Sequence, residues 1–405
     1  MDAHGPLAGI RVIDFGWVWA GGIPGQLLAD LGAEVIKVES RKRLDYMRQG
    51  RPLRGTQPDP EQNPWFHALN RNKLSVTINL THPKGMELAR RLVLAGDVVI
   101  ENFSPGFVSR IGLDYPSLRT LKPGLVMLSM SGAGQRGPLA GIRSYATIIA
   151  ALSGLDSLAG YPGERVLGTQ QPYADANAGI HAVFAVLVAL WHRRRTGRGQ
   201  FIDLAQLETA VAVMGDALME TVMTKRVPGP QGNDSPGMAP HGHYPCQGND
   251  AWVAIAVRSD EGWQALCVAL GADTLATEPR FRAAADRWHH RRELDRALAE
   301  WTRRFTPYEL TTRLQRAGVA AAPLLGPAEL LSDPHFRARD TFVEIEHPVL
   351  GKEVIYGPAW KMSRTPPGIR RHAPLLGEHN EEVFGRLLGL IPEEIWRLAE
   401  EQVIA

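Results

Sequence analysis

Five short apolar runs, at residues 10–15, 33–38, 74–80, 97–100 and 125–130, alternate with stretches of helical character. The runs are rich in Val and Ile and are bounded by Gly, Asn, Asp or Lys, the marks of strands buried on both faces. Between them, residues 25–31, 83–95 and 115–121 have helical character, and Pro83 stands at a first turn just after Thr81. Strand, helix, strand in repetition implies a parallel sheet with helices on its faces. The predicted fold class is therefore α/β, with a Rossmann-like large domain.

Longer helices follow. In residues 176–194 the apolar positions Ile180, Val183, Phe184, Leu187, Leu190 and Trp191 recur at three- and four-residue steps, predicting one core-facing stripe. A short strand is expected at 201–204 and a further helix at 207–223. The Pro- and Gly-rich stretch after Val227 reads as a linker. This divides the chain into a first large-domain part (1–225), a linker (226–243), a smaller α+β domain (244–330) and a last segment (331–405) of strands and a helical tail. A length of 405 residues agrees, being more than one core usually serves.

Lys and Arg total 45 against 43 Asp and Glu, so the net charge of +2 offers no global field for nucleic acid or an anionic membrane. Two cysteines, Cys246 and Cys267, are too few for a disulfide framework and suit a reducing, cytoplasmic setting. No Cys/His grouping has metal-site spacing, so no metal is expected. The start of the chain lacks a basic segment followed by an apolar one. The most apolar run, 178–191, is too short to span a bilayer comfortably.

Four segments have chemical potential. Gly16-Trp-Val-Trp-Ala-Gly-Gly22 follows the first strand, where α/β folds bind ligands, but its glycines are not spaced for a dinucleotide. Basic residues Arg41, Lys42 and Arg43 end the second strand and suit a phosphate or a solvated loop. Asn102, Phe103 and Ser104-Pro105-Gly106 follow the fourth strand, where simple capping by Ser104 is the plainer reading. Asp175 stands where the long helix begins. There it reads either as a helix cap or as a carboxylate nucleophile kept ionised by the helix dipole, and spacing alone does not choose.

Taken in order, these segments resemble the family III CoA-transferases, the group of formyl-CoA transferase and the carnitine and bile-acid CoA-transferases. The match runs through Val12-Ile-Asp-Phe15, Leu31-Gly-Ala-Glu-Val-Ile-Lys-Val-Glu39, Asn70-Arg-Asn-Lys73, Glu101-Asn-Phe103, Pro105-Gly106 and Asp175-x-x-x-Gly179. It continues through Arg195-Thr-Gly-Arg-Gly-Gln200 and Ala373-Pro-Leu-Leu-Gly-Glu-His379. The resemblance implies that Asp175 is the nucleophile, passing through an aspartyl anhydride and an aspartyl-CoA thioester. It implies an acyl-CoA and a carboxylic acid as substrates, with no permanently bound cofactor. The CoA contacts it implies are Val18, Arg41, Asn72, Lys73, Asn102, Phe103, Arg110, Arg143 and Tyr145. The family architecture implied is a ring-shaped chain interlocked with a second copy. The last segment would return to complete the large domain, and a heteromer with a homologous chain is the variant assembly.

Two departures from the family pattern stand out. Ser40 occupies a position that is basic in formyl-CoA transferase, passing the phosphate contact to Arg41, and residues 236–243 replace a glycine-rich covering loop. A racemase of the same fold would need a His before the central helices, where the sequence reads Gly141-Ile-Arg143-Ser144-Tyr145. A noncatalytic CoA-binding subunit would not need Asp175. The Trp17-Val-Trp19 loop resembles members that take CoA from succinyl-CoA and give it to dicarboxylic acids. Arg48, Arg51 and Arg54 are candidates for pairing with a second substrate carboxylate or are plain surface charges.

Overall fold

The computed structural model describes residues 5–50, 55 and 57–405. The chain divides into two compact units, one of residues 1–156, 168–227 and 335–405, the other of residues 157–167 and 228–334. The second unit thus takes in residues 157–167 and most of the stretch that composition marks as a linker.

The first unit is built on six parallel strands: β1 (Arg11–Asp14), β2 (Glu34–Glu39), β3 (Leu74–Thr77), β4 (Val98–Glu101), β5 (Val126–Ser131) and β6 (Phe201–Ala205). Their order is β3-β2-β1-β4-β5-β6, with the reversal of direction lying between β1 and β4. The strands are apolar at nearly every position because both faces are covered. Ile13, Ile36, Val76 and Val99 point to one side, under α3 (Pro83–Ala95 in this numbering, after α1, Val18–Asp30, and α2, Pro64–Asn70). Val12, Val35, Val98 and Ile100 point to the other, under α1 and a long helix at Tyr173–Thr196.

That long helix, of 24 residues, exceeds the apolar run read from sequence, and by length and composition it could cross a membrane. Half of its apolar window is buried in the fold, as befits a core helix. The stripe that faces the core matches the expected one in part: Val183 and Leu190 are buried and Leu187 packs on the core. Ala178, Ala182, Val186 and Ala189 are buried, whereas Ile180, Phe184 and Trp191 are about two-thirds exposed. The reason is spatial. The helix lies so close to α1 that a methyl on Gly179 would sit 2.6 Å from the Ile23 side chain, and only small residues fit that face.

Residues after 335 supply the hairpin β10 (Phe342–His347) and β11 (Gly351–Tyr356), antiparallel, and helices Asn380–Leu388 and Pro392–Glu400. This segment seals the exposed edge of β3, whose unpaired backbone groups would otherwise face solvent. Ser75 N donates to His379 Nδ1, Thr77 N to Asn380 Oδ1 and Asn79 N to the Val403 carbonyl. Val383, Phe384, Ile395 and Val403 then join the core beneath β1 and β2.

The second unit holds an antiparallel sheet in the order β7-β8-β9: β7 (His241–Pro245), β8 (Trp252–Ala256) and β9 (Ala320–Pro323). Its core is Trp263, Leu266, Leu294, Leu298, Leu310 and Leu314, the apolar faces of helices Asp260–Leu270, Arg291–Thr302 and Pro307–Arg316. Residues 241–243 of the stretch replacing the covering loop are therefore strand. The helix expected at 207–223 is two, Gln206–Ala212 and Gly215–Thr224.

Phe384 is fully buried in the core of the first sheet. Phe384→Ala should cost about 3–5 kcal/mol, seen as a lowered urea midpoint for the transition of the large unit. An unchanged midpoint would show that the tail is only draped on the surface.

Candidate active site

The carboxyl ends of β1, β2, β4, β5 and β6 carry the candidate groups. After β1 the chain turns sharply into α1, and the turn is held from three sides. Lys37, fully buried on β2, donates to the Gly16 carbonyl at 2.6 Å and to Asp45 at 3.1 Å. Burial works against its charge, but Asp45, Glu39 and Asp14 more than offset this and hold the amine above its ordinary range. Asp45 in turn accepts from Val18 N at 3.1 Å, fixing Val18 at φ +59°, a conformation uncommon for a β-branched residue. Asn102, from the end of β4, clamps Trp17 through both backbone groups, accepting from its N–H at 2.8 Å and donating to its carbonyl at 2.9 Å. A methyl on Gly21 would lie 2.6 Å from Asn102 Oδ1, so this clamp requires glycine there. The loop's glycines thus serve close approach, not phosphate-cradling spacing.

Around the clamp lies an aromatic strip with cations at its ends. Trp17 meets Phe103 and Tyr46 edge-on at 6.2 and 6.3 Å, and Phe103 stacks on Phe107 at 4.5 Å. The Arg43 guanidinium lies 5.1 Å from the Trp17 ring and that of Arg110 lies 5.8 Å from Phe107. Of the residues expected to contact CoA, Val18, Asn102, Phe103 and Arg110 are brought together here. Arg43, Trp17 and Tyr46 join them. Arg43 lay within the basic run, and only the fold distinguishes it from Arg41, whose guanidinium donates to the Leu376 carbonyl. Ser104 does not cap: the following helix begins at Phe107 behind Gly106 in the left-handed region. Glu101, buried beneath, is pushed up to about 7 by desolvation, partly countered by hydrogen bonding that includes the Phe103 N–H.

Asn72 and Lys73 are committed elsewhere. The Asn72 amide donates to Asp30 and the Gly368 carbonyl and accepts from Arg370 N and Arg371 N, which saturates it. Lys73 is fully buried against Asp14 at 2.8 Å and the Gly22 carbonyl at 3.0 Å. Arg48 is closed off as well. It pairs with Glu39 and Glu61, donates to the Pro374 carbonyl and lies 3.6 Å from the Phe66 ring, so it is neither a surface charge nor open to a substrate. Arg51 and Arg54 lie outside the described residues. Arg143 and Tyr145 are exposed on the segment after β5, with Tyr145 at the start of helix Ala146–Ser153.

Asp175 is the third residue of its helix, not its cap; Pro172 occupies the cap position and gives no side-chain bond. The residue is 8% exposed, and its Oδ1 accepts one hydrogen bond, 2.9 Å from Gln206 Nε2. Among the described residues no hydrogen bond reaches Oδ2. Desolvation pushes the carboxyl up to about 6, with the Gln206 bond pulling the other way. Burial thus works against the ionisation that the helix start was expected to favour, yet at about 6 the carboxyl is still largely ionised at neutral pH. Its neighbours tie it to both sides of the site. Ala176 packs on the cluster of Ile23, Met47, Phe66 and Leu69 that Val18 and Trp19 also touch. Ala174 packs with Ile149, Ala146, Ala210 and Leu207, beside the Tyr145 segment. Gln206, the first residue after β6, was not singled out in the sequence. A polar residue at a strand's carboxyl end was the available signal.

Two other features compete for notice. A cavity of about 670 Å³ lies at the opposite, amino ends of β1 and β2, lined by residues such as Ile10, Arg11, Gly32 and Glu34; it does not include Asp175. His67, His347 and Glu353 gather closely enough to suggest a metal. However, His347 Nδ1 accepts from Val349 N and Leu350 N, which leaves the ring proton on the other nitrogen. His67 lies between Glu353 at 2.5 Å and the Glu61 carbonyl at 2.9 Å. The set therefore fits a ring–carboxylate network fastening the hairpin to α2 better than an ion.

Comparison with known proteins agrees with this geometry. The model of CoA-transferase family III matches residues 7–380. The chain is 37% identical over 399 residues to succinyl-CoA–D-citramalate CoA-transferase of Chloroflexus aurantiacus, covering 98% of both chains. It is 36% identical over 390 residues to succinate–glutarate CoA-transferase of Agrobacterium fabrum, covering 94% of this chain and 96% of the relative. A crystal structure of a CAIB/BAIF family protein from Brucella suis superposes with a TM-score of 0.87 at 33% identity, covering 95% of this chain and all of that one. The chain belongs to the CoA-transferase family III. It is a CoA-transferase, and its substrates include a CoA thioester.

Because the folded carboxyl of Asp175 sits at about 6, above its ordinary 3.8, the fold favours its neutral form. That contribution is fully present below pH 3.8 and is lost as pH rises through 6. At pH 8, Asp175→Asn should therefore be more stable than the native chain, by up to about 3 kcal/mol, and the gain should vanish near pH 4. Urea melts at the two pH values test this.

Proposed function

We propose that the chain moves CoA from succinyl-CoA to a dicarboxylic acid, with Asp175 as the transiently acylated carboxylate. The observation that carries this is Asp175 itself: a buried carboxyl among small side chains, with one oxygen held by Gln206 and no hydrogen bond to the other among the described residues. Burial has two effects. It keeps water from the anhydride and thioester that would otherwise hydrolyse, and it raises the energy of the carboxylate that must attack. Oδ2 attacks the thioester carbonyl carbon, the carbon–sulfur bond breaks, and CoA thiolate leaves behind an aspartyl anhydride. Thiolate then attacks Cγ and expels the donor acid, giving aspartyl-CoA. The acceptor carboxylate runs the same steps in reverse.

The Trp17, Phe103 and Phe107 rings with Arg43 and Arg110 offer flat apolar faces beside two cations, which suits an adenine and its phosphates. Val18 and Asn102 set the loop, and Arg143 and Tyr145 flank the far side. Asn72, Lys73 and Arg48 are left out of this site because their polar groups are already spent. The succinyl donor and dicarboxylic acceptor rest on the names of the two relatives. The free, buried Cys246 and Cys267 are compatible with a cytoplasmic enzyme.

A second copy of the chain is part of the proposal. Ile180, Phe184, Val188 and Trp191 leave one side of the long helix apolar and 47–68% exposed, and Leu218, Met219, Val222 and Met223 on helix Gly215–Thr224 are 46–74% exposed. Monomers rarely leave large apolar patches open. This face suits the interlocked dimer implied by the family resemblance.

With succinyl-CoA as donor and a panel of mono- and dicarboxylates, the native chain should form new CoA thioesters with dicarboxylates first. Asp175→Ala should lose transfer by at least roughly 10⁴-fold, and the native rate should fall below about pH 6, where Asp175 is protonated. Full activity in Asp175→Ala would remove the nucleophile. The double variant Phe184→Glu/Trp191→Glu should sediment as a monomer where the native chain sediments as a dimer; a native monomer would sink that part.

A further inference from the structure

We infer that Gln206 is a catalytic residue that holds one oxygen of Asp175 fixed and stabilises the charge that develops on it. The inference rests on Asp175 being the nucleophile and assigns separate fates to its two oxygens. Gln206 Nε2 donates to Oδ1 at 2.9 Å, and both side chains are more than nine-tenths buried. The donor is itself anchored. Gln206 opens the helix after β6, its carbonyl accepts from Thr209 Oγ1 at 2.8 Å, and the next residue, Leu207, donates to the Gly132 carbonyl at 2.9 Å.

The chemistry gives this bond a role beyond orientation. When thiolate sulfur attacks Cγ of the aspartyl anhydride, the carbonyl electron pair moves onto Oδ1. The tetrahedral carbon then collapses: the Cγ–Oδ2 bond breaks, and the donor acid leaves carrying Oδ2. The thioester left on Asp175 keeps Oδ1 as its carbonyl oxygen. The acceptor carboxylate attacks the same carbon, charge builds again on Oδ1, and thiolate is expelled. One acceptor oxygen becomes the new bridging atom. Thiolate then attacks the acceptor's acyl carbon, and that bridging oxygen stays on Asp175. Charge thus develops on Oδ1 twice per turnover, with a donor already in place and no water to reorganise. Oδ2 is replaced in every turnover. Oδ1 is replaced only if the carboxylate rotates between turnovers, and the Gln206 bond opposes that rotation.

Counting oxygens tests this directly. The native enzyme is turned over many times with succinyl-CoA and an acceptor acid whose carboxyl oxygens are isotopically heavy, and the peptide bearing Asp175 is weighed. One heavy oxygen on Asp175 is expected. Two would show that Oδ1 rotates freely and would overturn the inference. None would overturn the nucleophile reading and this inference with it, so the two failures are told apart. Gln206→Leu should retain CoA binding, lose roughly a hundredfold or more in kcat, and acquire both heavy oxygens. A variant within about threefold of native kcat would exclude the stabilising role, and the native oxygen count stands even where the variant folds poorly.

Discussion

The buried amine of Lys37 is the group on which the carboxyl-end surface of the sheet depends. One side chain from the middle of β2 reaches the Gly16 carbonyl on one hand and Asp45 on the other. Asp45 then receives Val18 N and Met47 N, so two loops that meet nowhere in sequence share one ionic joint. A charge in this position is tolerable only because it is paired and hydrogen-bonded throughout. Similar pairs lie alongside, Asp14 with Lys73 at 2.8 Å and Asp30 with Arg71 at 2.7 Å. Together they form a rigid polar floor beneath a loop that has to hold an uncommon backbone conformation.

Upon that floor the site divides its labour by solvent exposure. The aromatic strip and its flanking cations are accessible, as recognition of a large charged ligand requires. Asp175 is withdrawn, so its carboxyl meets a substrate only where water is scarce. The same withdrawal shifts its protonation upward, so in the proposed role the carboxylate must also be kept ionised at working pH. In the proposed mechanism, the covalent route and this burial are two sides of one arrangement.

Much of the sheet was legible because parallel strands covered on both faces write themselves as unbroken Val and Ile runs, and helices 83–95 and 115–121 were bounded as expected. The long helix was misread in part for an equally physical reason. It is apolar on most of its circumference, so periodicity carries little information about which face turns inward. Side-chain size decided part of it, with Gly179 and alanines where α1 lies close and Ile180, Phe184 and Trp191 facing out, while Val183, Val186 and Leu190 are buried too. At the site, the ordered motifs singled out Asp175 and the Asn102–Phe103 turn as candidates. They did not reveal Gln206, which is 31 residues from the carboxyl it touches. Arg48 was equally opaque, because its Pro374 partner lies 326 residues away. Asn72 and Lys73 illustrate the converse: the Asn70–Lys73 motif singles out residues whose polar groups the fold itself uses.

The sealing of β3 by the last segment bears on how the chain is made. Asn79 hydrogen-bonds Gln402 across 323 residues, and the core under β1 and β2 includes Phe384 and Val403. Strands that leave the ribosome early must wait for these partners, on the order of tens of seconds at ordinary elongation speed. Throughout that interval a Val- and Ile-rich parallel sheet has one flank unsealed and one face part-covered. The sheet is therefore completed only once helices Asn380–Leu388 and Pro392–Glu400 have been made and docked.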